Sequence, residues 1–77
     1  MRMHYSYQVS KLLRDLGDEG AELRRALESL KVNQTPDWAR EITERPGRYE
    51  FPVAGKWIVY EVDRTGMETV ISVTVIE

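Results

Sequence analysis

Cysteine is absent from this 77-residue chain, which also holds one histidine, three prolines and five glycines. Without thiols there are no disulfides, no thiolate zinc sites and no cysteine nucleophile, and His4 alone supplies too few soft ligands for a structural metal. No cofactor is expected. Long apolar runs are missing too: nothing approaches the roughly 20 residues of a spanning helix, and the opening Met1-Arg-Met-His-Tyr-Ser6 lacks the apolar stretch of a secretion signal. Membrane association is therefore not expected, and cytoplasmic residence is the default. Nor is there a basic surplus, since 11 lysines and arginines face 13 acidic residues for a formal charge of −2. A dedicated polyanion binder usually carries the opposite balance.

What is present suits one small folded domain spanning 1–77. Hydrophobic residues make up 42% and charged residues 31%, the mixture of an ordinary globular chain, and so short a chain cannot bury two separate cores. Met3, Tyr5, Tyr7 and Val9 alternate with His4, Ser6 and Gln8, which predicts a first strand over residues 2–9. The spacing then changes to steps of three and four in Leu12, Leu13, Leu16, Leu23, Ala26, Leu27 and Leu30, the stripe of a helix over 11–31. Gly17 and Gly20 interrupt it, so a hairpin of two helices is expected, with Gly17 ending the first and Asp18 capping the second.

Thr35-Pro36-Asp37-Trp38 fits both a short helix over 36–44 and an extended lead-in to the next strand. Beyond Pro46-Gly47 the two-residue period returns in Tyr49, Phe51 and Val53; Ala54-Gly55 marks a turn; and 57–62 and 70–76 read as two more strands. The expected fold is α+β in two layers, β-α-α-β-β-β, with a mainly antiparallel four-stranded sheet roofed on one face by the helical hairpin. Its core is predicted to be Leu12, Leu16, Leu23, Leu27 and Leu30 against Tyr49, Phe51, Ile58, Tyr60, Ile71 and Val73.

The stretch Arg45-Pro-Gly-Arg-Tyr-Glu-Phe-Pro-Val-Ala-Gly-Lys-Trp-Ile-Val-Tyr-Glu-Val-Asp63 resembles the signature of the RelE/ParE family of bacterial toxins. There a Pro-Gly and an aromatic lead into a strand, a Gly-containing turn follows, and the next strand reads aliphatic, aliphatic, Tyr, acidic, aliphatic. The resemblance implies a toxin component held by an antitoxin protein and directed at the ribosome and its mRNA, or at DNA gyrase. If it is an enzyme, it would be a metal-free endoribonuclease in which cationic side chains stabilise the charge on the attacked phosphate. Here the arginine usual in the family's second strand falls at or beside Pro52, and the one opening the third strand falls at Trp57. The cationic site is thus degenerate, with Arg48 and Lys56 as the remaining candidates for catalysis. The alternative is a non-catalytic protein-binding module, either a gyrase-directed poison or an inactive homologue.

Two surfaces are candidates for binding. Arg45, Arg48, Lys56 and Trp57 could supply a cationic patch with an aromatic platform for RNA or an acidic peptide, but alternation turns Lys56 to the face opposite Trp57 and Arg48 unless a bulge intervenes. Glu50 and Glu61 also weaken the field, so solvated strand-edge charges with a tryptophan covering the sheet's second face are the favoured reading. Trp57, Val59, Ser72 and Thr74 point away from the helices and are expected to form an exposed apolar strip for a partner. His4 is expected to be an ordinary exposed strand residue. Tyr60 is expected to pack under the helices with its hydroxyl at the margin.

Overall fold

A computed structural model describes residues 1–76. In chain order its elements are β1 (Arg2–Tyr5), α1 (Tyr7–Asp15), α2 (Glu19–Ser29), β2 (Arg40–Glu41), β3 (Arg48–Val53), β4 (Lys56–Asp63) and β5 (Val70–Ile76). The strands form one sheet in the order β1-β5-β4-β3-β2. The α+β class and the two helices agree with the sequence reading, but the sheet has five strands rather than four. It is also mixed, because β1 runs parallel to β5 while every other pair is antiparallel.

The expected strand over 2–9 stops at Tyr5. Ser6 takes an extended conformation and its hydroxyl accepts from the Val9 amide at 3.2 Å, which starts α1 at Tyr7. An N-cap of this kind satisfies one of the amides a helix start leaves without a partner. Val9 then joins Leu12 on the helical stripe and is fully buried, whereas Tyr7, which strand alternation would have turned inward, is 72% exposed. Gly17 ends the helical turn at φ +58°, the left-handed region where a Cβ is costly. Asp18 occupies the cap position of α2 but makes no capping hydrogen bond through its side chain. Gly20 is the point of close approach in the hairpin: a Cβ there would lie 3.0 Å from the carbonyl oxygen of Leu13.

The 36–44 segment takes the extended alternative. A turn brings the Ala39 amide to the Pro36 carbonyl at 3.1 Å, and Arg40 and Glu41 then pair with Glu50 and Tyr49 as the short edge strand β2. Ala54 and Gly55 both have positive φ (51° and 76°) between the paired Val53 and Lys56, the two-residue hairpin that matches strand twist.

The core lies between the helices and one face of the sheet. Of the predicted set, Leu12, Leu23, Leu27, Leu30, Phe51, Ile58, Tyr60, Ile71 and Val73 are buried, and Leu16 and Tyr49 pack against them partly covered; Val9, Val53 and Val75 complete the cluster. Tyr60 is at its centre with no exposed surface. Its ring stacks on Tyr49 at 5.2 Å between centroids, and its hydroxyl donates to the Gln34 carbonyl at 2.7 Å. That bond ties the connection after α2 to the central strand, so the hydroxyl faces a backbone partner and not water. Burial, and secondarily Tyr49, push the phenol up to about 12 from 10.0.

Candidate functional site

Side chains alternate across a strand, so the residues not used by the core share the other face. Registers align them into rows. One runs His4, Ser72, Glu61, Arg48 across four strands; the next runs Thr74, Val59, Glu50, Arg40; a third brings Ile76, Trp57 and Pro52 together. No helix or strand among the described residues lies over this face.

The expected apolar strip is therefore only partly right. Trp57 is 44% exposed, and Ser72 and Thr74 are exposed, but Val59 keeps only 6% of its surface. Val59 is the floor of a cleft of about 350 Å³ whose rim carries His4, Ser6, Arg48, Glu61, Ser72 and Thr74. The exposed apolar surface lies instead in the third row, at the end of the face where Ile76 is 53% exposed beside Trp57.

Charge on this face is balanced. Arg48 donates through Nε to Glu61 at 3.2 Å, and Arg40 binds the Glu50 carboxylate while its guanidinium carbon sits 5.7 Å from the centre of the Trp57 ring. Each arginine thus has a carboxylate, which cancels most of the field that would draw a polyanion. Arg2 Nε donates to His4 Nε2 at 3.0 Å.

The candidate residues divide between two surfaces. Arg48, Val59, Ser72 and Thr74 line the cleft, and Trp57 stands beside it on the same face. Lys56 does not join them, because it pairs with Val53 one residue before Trp57 and therefore points to the helix side. There it borders a groove with Tyr7, Lys11, Asp15 and Val75. Arg45 lies exposed in the turn before β3, outside the residues that line the cleft. The four candidates for a cationic patch, Arg45, Arg48, Lys56 and Trp57, thus do not share one surface. Arg40, in contrast, was hidden in the ambiguous 36–44 segment, and only the pairing of β2 with β3 brings it over Trp57. Glu61 faces Arg48 across the antiparallel β3–β4 pair, whereas His4 joins them in the cleft because β1 and β5 pair in parallel, which local periodicity does not encode.

Among the described residues no group of three or more His, Cys, Asp or Glu side chains is placed to hold a metal ion. No helix among them is long and apolar enough to cross a membrane. Comparison of the chain with protein families, curated proteins and solved structures finds no match.

Proposed function

We propose that this chain is a RelE/ParE-like toxin component of a toxin–antitoxin pair that works in the cytoplasm by gripping a protein on its open sheet face, and not by cutting RNA. The observation that carries this is the separation of the two catalytic candidates. Arg48 is held by Glu61, and Lys56 is on the opposite side of the sheet, so the two do not converge on one phosphate. Family-type cleavage needs such donors aimed at the developing charge. The Pro52, Trp57 and Ile76 row beside a balanced set of charges suits a protein contact, with an aromatic anchor and a polar rim. The protein bound is an antitoxin, and DNA gyrase is the target that needs no RNA chemistry.

A second reading, metal-free cleavage of messenger RNA on the ribosome, has one observation in its favour: His4, Glu61 and Arg48 rim the same cleft. An acid, a base and a cation are the groups such a transfer requires. Expressing the chain alone and mapping mRNA ends on translating ribosomes separates the two. The first reading expects no specific cuts, together with inhibition of purified gyrase in a supercoiling assay that Trp57→Ala relieves. Specific cuts lost on Glu61→Gln or Arg48→Ala refute it in favour of the second, and absence of both cuts and gyrase inhibition removes both targets.

A further inference from the structure

We propose that the outer edge of β1 is a docking site for an extended, acidic and apolar peptide segment of a partner protein, which adds to the sheet as a sixth strand. The Arg2 amide donates to the Thr69 carbonyl at 2.8 Å and the Ser6 amide to the Val73 carbonyl at 2.9 Å. Even-numbered residues of β1 thus face β5, and the amides and carbonyls of Met3 and Tyr5 point the other way. They have no backbone partner among the described residues, because β1 ends the sheet. The strand has neither proline nor bulge, two of the usual protections of an exposed edge. The opposite edge, β2, is only two residues long.

Recognition by strand addition draws affinity from the main chain and specificity from pockets that receive alternate side chains. Both are present here. On the helix side, a groove of about 250 Å³ opens beside Tyr5, floored by Leu13 and Leu27 and bordered by Arg24 and Glu28. On the open side, His4 and Ser6 border the cleft over Val59. A strand laid along β1 sends one residue towards the leucine-floored groove and its neighbours towards Arg2 and His4.

Charge chooses the occupant. Glu28 is matched by Lys31 at 3.1 Å, whereas Arg24 reaches only the Leu13 carbonyl at 3.4 Å and has no carboxylate partner among the described residues. Arg2 is 4.0 Å from Glu68, both well exposed. A second copy of this chain would bring another Arg2 and no acid within its β1, so self-pairing adds cation to cation. An acidic strand meets Arg24 and Arg2 with opposite charge. The site stands whether the open face grips protein or RNA.

The test uses the full chain and a labelled seven-residue peptide, Glu-Glu-Val-Val-Glu-Glu-Val, which presents both residue types on each face of a strand, with the peptide carrying lysine at each glutamate as control. Fluorescence anisotropy reads binding, and amide hydrogen exchange by NMR reads its place. The acidic peptide should bind at least about tenfold tighter than the control and slow exchange at Met3 and Tyr5 more than at His4, which already faces β5. Arg24→Glu should weaken binding about tenfold, the loss of one charge-assisted contact. Met3→Pro, which leaves the β5 side of the strand intact, should abolish it; if that variant does not fold, Arg24→Glu and the exchange pattern decide. Glu41→Gln, on β2 at the opposite edge of the sheet, should leave binding unchanged. No protection at Met3 and Tyr5, equal loss with Glu41→Gln, or a free chain that sediments as a dimer with those amides already protected would each overturn the proposal.

Discussion

Replacing Tyr60 with phenylalanine removes a single oxygen from the middle of the core while leaving the ring between Tyr49 and Phe51 in place. The lost bond is the 2.7 Å contact to the Gln34 carbonyl. A neutral hydrogen bond contributes about 1 kcal/mol net, and a partly covered carbonyl left without a donor adds to the loss, so Tyr60→Phe should cost about 1 to 2 kcal/mol. For so small a domain, where about 1 kcal/mol moves the melting point by roughly 4 to 8 °C, that is a large change. Urea titration followed by tryptophan fluorescence reads it directly, because Trp38 packs edge-on against Phe51 at 5.0 Å. The same variant carries a signature in pH. The phenol is raised to about 12 in the folded chain from 10.0, so its contribution is complete below pH 10 and is lost as pH rises from 10 through 12. The variant cannot lose what it lacks, and the two stability curves should close on each other across that window. Tyr5, also raised by burial and by Glu28, is present in both proteins and cancels. A difference at pH 7 below about 0.5 kcal/mol, the range of an ordinary surface change, or a gap that stays constant to pH 11.5, would refute the reasoning.

Four further outcomes are expected. Gly20→Val should destabilise the chain by about 1 kcal/mol or more despite the better helix propensity of the new residue, since its Cβ meets the Leu13 backbone at 3.0 Å; chemical denaturation checks it. Ala54→Asn should raise stability by about 0.5 to 1 kcal/mol in a thermal melt, because Ala54 pays for a φ of +51° that asparagine accepts more readily. Asp63 is held below the usual carboxylate range by the Thr65 hydroxyl and amide, so its stabilising effect is present above its unfolded pKa and is lost as pH falls through the folded one; Asp63→Ala should lower the urea midpoint at pH 6, and the difference from the parent chain should shrink as the solution is acidified. A double-mutant cycle of Arg48→Ala and Glu61→Ala should give a coupling of about 0.2 to 1 kcal/mol that fades in high salt, as both side chains are exposed to solvent.

The leucines of α1 and α2 and the alternation through β3, β4 and β5 were legible in the sequence, because the repeat of each element is set by its own backbone geometry. The Ala54-Gly55 hairpin was legible for the same local reason. The first strand was misjudged at its end. Tyr5, Tyr7 and Val9 satisfy a two-residue period, yet Val9 also begins the three- and four-residue stripe with Leu12, and Ser6 can cap. Two local patterns overlapped, and burial of Val9 under the sheet decided between them.

The candidate site was less legible than the fold. Alternation alone placed Arg48 and Lys56 on opposite faces and put Trp57 outward. It could not show that Glu61 holds Arg48, that Arg40 crosses to Trp57, or that His4 joins the cleft. Those contacts depend on which strands are neighbours. The parallel seat of β1 beside β5 joins residues nearly a whole chain length apart, and the two-residue β2 exists only through its pairing with β3. Period and turn chemistry are properties of a few consecutive residues, so the sequence by itself determined what each segment would become and which side it would bury. Strand neighbours are settled by the burial that pairing allows once the ends of a long loop have met, and that balance is decided only by the whole chain in its folded form.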